Sequence, residues 1–186
     1  KPTFAMSIGQ PVVENNQIYV MSYSRVSACI DVAADGLSAE LRWRGDTRRG
    51  IAGVHNTAFI ENGHIYACGN GGRYGCARLA DGEKLWSTFA PATGERPASW
   101  ANVFTIKQGN RFFLANDLGE LIIAKLNPQG YEEVSRSKLI EPTHQVGRRL
   151  LVWSHPAFAN RSIYLRNDQE IRCYNLADGK QQPNNR

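Results

Sequence analysis

No stretch of this 186-residue chain holds the roughly 18 consecutive apolar residues that a membrane-spanning helix needs. No CxxC pair occurs, and the four cysteines, at 29, 68, 76 and 173, are never adjacent. A cysteine-based zinc site is therefore disfavoured. GxSxG and HExxH are missing too, so neither a nucleophile elbow nor a zincin helix is present. Helix signals are nearly absent, which argues against the helical repeat families. The Gly-rich run Gly69-Asn70-Gly71-Gly72 has no helix pattern after it and reads as a turn rather than a phosphate loop. No secretory signal is visible, and the first residue is Lys1 rather than Met, as in a mature chain or a segment of a longer one.

What is present fits a globular domain, or part of a larger repeat array: 42% apolar and 21% charged residues. The net charge of +5 mildly favours anionic partners and falls short of a dedicated nucleic-acid binder.

The chain repeats itself. Ile18-Tyr19-Val20, Ile65-Tyr66-Ala67, Phe112-Phe113-Leu114 and Ile163-Tyr164-Leu165 recur at spacings of 47, 47 and 51 residues. Cys29, Cys76 and Ile123 follow the first three triplets at equal distance, and Cys173 follows the fourth one residue sooner. Ala-Asp-Gly comes next at 34–36, 80–82 and 177–179, with Asn127-Pro128-Gln129-Gly130 in the third unit. Each unit reads as four short strands; in the second they span 56–60, 64–68, 74–79 and 84–87. Apolar, β-branched and aromatic residues fill the runs, and Gly, Asn and Asp fill the gaps. Four antiparallel strands in 40–50 residues make a β-propeller blade. The fold class is all-β: four four-stranded blades, at 8–45, 53–88, 100–139 and 153–180, forming one partial propeller. Because Cys and Ile alternate at one position, Cys29, Cys76 and Cys173 read as buried free thiols. A cross-hairpin disulfide between Cys68 and Cys76 would be strained. Trp43 and Trp86 read as outer-strand packing between neighbouring blades.

Residues 76–86 (CARLADGEKLW) resemble the tryptophan-docking pattern of the PQQ-like, quinoprotein-type propeller repeat. Residues 112–126 (FFLANDLGELIIAKL), 128–133 (PQGYEE) and 153–161 (WSHPAFANR) resemble one subgroup more closely, the PQQ-binding-like β-propeller repeat proteins of planctomycete-type bacteria. The resemblance implies a ring of seven or eight blades, of which this chain is half, and an exported or periplasmic location. It also implies closure by missing blades or by a second copy. The polar tail 180–186 is a poor fourth strand for the last unit. In quinoprotein dehydrogenases of this fold, PQQ is held by adjacent cysteines, a stacking Trp and an acidic calcium site. This sequence has no adjacent cysteines and no evident acidic cluster, so no cofactor is expected.

In a propeller the innermost strands begin at one face of the central channel. Those starts carry His55, Asn56, Trp100, Asn102, Trp153 and His155, and the loops feeding them carry Arg48, Arg49, Arg96, Arg148 and Arg149. Arg suits carboxylate, phosphate and peptide contacts, and Trp suits flat apolar ones. The expectation is a non-catalytic binding or scaffolding module with a protein, carbohydrate or small anionic ligand at this rim. The alternatives are a quinoprotein-like dehydrogenase, with PQQ and calcium held in missing blades, and a carbohydrate-binding propeller. The competing structural reading makes the Trp and His residues channel plugs and the arginines solvated.

Overall fold

The computed structural model describes residues 8–23, 26–53 and 55–177. The first blade is β1 (Val12–Glu14), β2 (Gln17–Ser22), β3 (Val26–Val32) and β4 (Ala39–Arg44). The second is β5 (Phe59–Glu61), β6 (His64–Cys68), β7 (Tyr74–Arg78) and β8 (Lys84–Thr88). The third is β9 (Val103–Gln108), β10 (Arg111–Asn116), β11 (Glu120–Asn127) and β12 (Gly130–Lys138). A hairpin, β13 (His144–Val146) and β14 (Arg149–Leu151), precedes the last sheet, β15 (Ala157–Ala159), β16 (Ser162–Arg166) and β17 (Ile171–Asn175). Strands follow chain order in every sheet.

Two points differ from the sequence reading. The fourth sheet has three strands among the described residues, and the place of a fourth strand, beyond Ala177, lies outside them. In the second blade the inner strand begins at Phe59 rather than at 56, because Asn56 leaves the sheet direction to bond across the ring centre.

Side chains alternate across each strand, so each blade has two packing faces. The first and third residues of a triplet face the preceding blade and the middle one faces the following blade. Ile65 and Ala67 pack with Tyr19 and Met21 of the first blade, while Tyr66 packs with Phe112 and Leu114 of the third. Three cores result, one between each pair of successive blades. Burial of such apolar surface is the main stabilising term, at about 25 cal/mol per Å².

The outer-strand tryptophans lock these faces together. Trp43 Nε1 donates to the Leu79 carbonyl of the second blade at 2.8 Å, and Trp86 Nε1 donates to the Asn127 carbonyl of the third at 2.8 Å. Each bond lands on the end of a β3-type strand, just ahead of the Asp-Gly or Asn-Pro-Gln-Gly turn that made the repeat legible.

Cys29 and Cys76 lie opposite Tyr19 and Tyr66 on the following face, fully buried and free. Burial pushes both thiols up to about 11. Cys68 is buried beside Tyr74 rather than facing Cys76, and no disulfide joins them. Cys173 corrects the expectation of three buried equivalents. It lies opposite Tyr164 as the pattern requires, yet it is exposed, because no described residue covers the following face of the last blade.

Candidate functional site

Three connections meet at the ring centre: the one entering the second blade, residues 99–102 entering the third, and residues 152–156 entering the fourth. Asn56 and Asn102 are buried there. Asn56 Nδ2 donates to the Cys68 carbonyl and to Asn102 Oδ1, both at 2.8 Å, and its Oδ1 accepts from the Cys68 amide at 3.3 Å. One blade's inner loop is thereby tied to its neighbour's. Asn102 Nδ2 is buried with no hydrogen-bond partner among the described residues. Such a donor costs about 1–3 kcal/mol when left unpaired.

Above this amide pair runs a string of rings. Tyr23 stacks on Trp100 with centroids 5.7 Å apart, His55 meets the edge of Trp100 at 6.2 Å, and His55 stacks on Trp153 at 4.4 Å. His144 of the hairpin closes the string against Trp153 at 5.8 Å. Burial lowers the His55 pKa, because it disfavours the charged ring. Trp100 occupies the left-handed region at φ +66°, a conformation that costs a non-Gly residue about 1–2 kcal/mol. Its side chain remains 36% exposed. Tyr23, His55, Asn56, Trp100 and Asn102 line a cavity of about 430 Å³ together with the glycine turn at Gly69–Gly71 and Pro97–Ser99.

The arginines divide. Arg149 reaches the centre: Nη1 donates to the Ser99 carbonyl at 2.7 Å and Nη2 lies 3.0 Å from Asp117 Oδ2. Arg148 is exposed at the tip of the β13–β14 hairpin, and Arg96 is exposed ahead of Pro97. Arg48 and Arg49 lie in the connection between the first and second blades. Their amides donate to Asp46 Oδ1, and Arg49 bridges to Glu83 at the edge of the second blade. Arg49 lines a separate cleft of about 400 Å³, with Arg73, Lys84 and Trp86. His155 packs on Phe104 at 4.6 Å, outside the string. The structure thus gathers His55, Asn56, Trp100, Asn102 and Trp153, adds Arg149 through Ser99, and disperses the other arginines.

Two participants carried no signal in the sequence. Tyr23 sits in the β2–β3 connection, where no repeat feature marks it. Asp117 is fully buried in the β10–β11 turn, where its amide donates to the Asn102 carbonyl and its carbonyl accepts from Val152. Burial raises the Asp117 carboxyl to about 6, with Arg149 pulling in the opposite direction. A carboxyl held above its ordinary 3.8 favours the protonated fold. Its contribution is complete below pH 4, is lost between about pH 4 and 6, and is constant above. Stability should therefore fall by about 2–3 kcal/mol across that window relative to Asp117→Asn, which lacks the titration. Urea midpoints of both proteins at pH 4 and 7 measure this, and parallel profiles would show that Asp117 does not titrate there.

No protein-family model matches the chain, and no curated protein matches it. Solved structures do. BamB from Moraxella catarrhalis aligns over 89% of this chain and 41% of its own, with 17% identity and a TM-score of 0.60. The computationally designed Ika4 protein aligns over 95% of this chain and 94% of its own, with 9% identity and a TM-score of 0.57. Quinohemoprotein alcohol dehydrogenase ADHIIG from Pseudomonas putida HK5 aligns over 87% and 29%, with 12% identity and a TM-score of 0.54. The chain has the PQQ-like β-propeller fold and spans about two fifths of BamB. No described helix is long and apolar enough to cross a membrane.

Proposed function

We propose that the protein is a non-catalytic binding module that holds a protein ligand at the inner rim of the propeller, over Trp100. One observation carries the reading: Trp100 is kept in a left-handed conformation with its ring part-exposed, beside the unpartnered Asn102 Nδ2, at the wall of a cavity of about 430 Å³. Residues held in such sparsely populated backbone regions cluster at binding and active sites. A peptide loop supplies a carbonyl for Asn102 and covers the part of Trp100 that Tyr23 and His55 leave exposed. The Arg149 charge is already met by Asp117, and Arg49 lines another cleft, so affinity rests on stacking and hydrogen bonding. Salt dependence is then weak. An exported or periplasmic setting accords with the repeat resemblance.

A carbohydrate satisfies the same groups, since aromatic faces and amides also suit sugar rings. The dehydrogenase reading has less support. The residues present do not fit PQQ with calcium: no cysteines are adjacent, and no three His, Cys, Asp or Glu side chains gather among the described residues. Asp117, the buried carboxylate nearest the rim, is engaged by Arg149.

The test combines binding with stability. Trp100→Gly accepts the positive φ without strain, so the variant should keep its stability within about 1 kcal/mol. It should also lose the peptide-array signal of the parent protein, while Arg148→Ala retains it. A Trp100→Gly loss of about 3 kcal/mol or more would make Trp100 a channel plug and sink the proposal. Signal on a glycan array alone would replace the protein ligand by a sugar.

A further inference from the structure

The cleft of about 400 Å³ that Arg49 lines is built by the first two blades and has no role in the reading of the inner rim. Its walls come from Ser27 of β3, from the connection between the two blades, and from the β6–β7 connection, β7 and β8 of the second blade. Gly69 and Asn70 line this cleft and the rim cavity alike, so the Gly-rich run belongs to two cavities at once.

Three cationic side chains line the cleft, Arg49, Arg73 and Lys84, against one carboxylate, Asp46. Asp46 Oδ1 already accepts from the amides of Arg48 and Arg49. The acids of the nearby turn, Asp81 and Glu83, pair with Arg78 at 2.5 and 2.8 Å. Among the described residues Arg49 and Arg73 are therefore left without an ion pair. Arg73 is nonetheless held in place. Its guanidinium carbon lies 4.4 Å from the centroid of the Phe89 ring, and Nη1 donates to Ser87 Oγ at 3.3 Å. That bond uses one of the five donors a guanidinium carries. Lys84 Nζ donates to the Thr47 carbonyl at 3.1 Å, which draws its charge to the connection.

Ser27 gives a second, independent sign of a ligand. It is 1% exposed, and its hydroxyl has no hydrogen-bond partner among the described residues. The Tyr19 hydroxyl beside it is engaged with Ile51, donating to the carbonyl and accepting from the amide. A buried hydroxyl left unpaired in the wall of a cationic cleft suits an acceptor that a ligand brings.

The geometry points to this cleft as a binding site for a phosphate monoester of low molecular weight. Such a group carries a charge of about −1.5 to −2 near neutral pH, which matches an excess of two positive charges, three cations less Asp46. Guanidinium groups take phosphate oxygens through paired N–H donors, and Ser27 adds a neutral donor. Trp86, half-buried in the lining, offers an apolar surface to the organic part of the ester. The anionic preference that the sequence attaches to the rim arginines thus moves to a cleft that shares only Arg49 with them. The inference is independent of what the inner rim binds.

Titration calorimetry with phenyl phosphate at low ionic strength tests it. Binding should saturate at one site per chain, weaken as salt is raised, and be tighter than that of inorganic phosphate, because the phenyl ring gains the Trp86 contact. Arg49→Ala and Arg73→Ala should each weaken it by about tenfold or more, the loss of a charge-assisted contact. Arg148→Ala should leave it unchanged. Arg49 and Arg73 are exposed, so both variants should keep the wild-type melting temperature within a few degrees. Should either unfold, Lys84→Gln replaces it, with a smaller loss in the same direction. No saturable binding, or an equal loss in Arg148→Ala, which would mean net charge alone, overturns the proposal. Succinate bound as tightly as phenyl phosphate also overturns it, since the ligand would then be a dicarboxylate.

Discussion

Gly119→Ala should destabilise the protein by about 4 kcal/mol or more, a large share of the roughly 5–15 kcal/mol that stabilises an ordinary domain. Gly119 lies in the β10–β11 turn at φ +79°, and a methyl group there would sit 2.0 Å from the Ile140 carbonyl oxygen. The backbone has little room to yield. Its amide donates to the Asn116 carbonyl at 3.1 Å, and its own carbonyl accepts from Leu139 at 2.9 Å and Ile140 at 3.2 Å. These bonds fasten the exit of the third blade to the turn that also carries Asp117. Gly63, in the β5–β6 hairpin, provides the control: φ is +72°, but an added methyl would meet nothing within 4 Å. Gly63→Ala should cost only the conformational term, about 1–2 kcal/mol. Urea denaturation of the two variants separates strain from collision. Equal losses would show that the approach to Ile140 is not close.

Trp43→Ala should cost about 3–5 kcal/mol, the range for removing a large aromatic from a core. The side chain is 4% exposed, lies in the core between the first and second blades, and donates to Leu79. Its ring lies so near Gly50 and Gly82 that a methyl group on either would come within about 3 Å of it. The Asp-Gly turn of the second blade is thus a hairpin turn and also the seat for the first blade's tryptophan. Trp43→Phe keeps most of the contact area and loses the hydrogen bond, for a smaller loss of about 1–2 kcal/mol. Thermal melts rank the variants. If Phe proved as damaging as Ala, the indole N–H rather than the packing would hold the two blades together.

The blades were legible from the chain alone because a blade is a local object. Its strands follow one another within about fifty residues, and its turns need Asp, Asn and Gly wherever the backbone must reverse. The recurring Cys and Trp positions mark burial and packing between neighbouring blades, and the structure places them with the Tyr positions on the face under the next blade. Exposure of Cys173 was not readable in this way, since the identity of a residue fixes which face it occupies and leaves open whether that face is covered. The rim was only half readable. His55, Asn56, Trp100 and Asn102 converge because they lie just ahead of innermost strands, and the repeat dictates where those strands begin. Asp46 accepts from the amides of Arg48 and Arg49 and shapes their turn, and Arg49 lines a different cleft, which no periodicity announces. Arg149 reaches Asp117 across 32 residues of sequence, through a hairpin with no counterpart in the other units among the described residues. The repeating sequence by itself determined strand order, register and the two faces of each blade, since these follow from short-range periodicity. Tertiary structure alone decided which loop side chains meet at the centre and which sheet faces remain open, since those outcomes depend on how unrelated connections pack against one another.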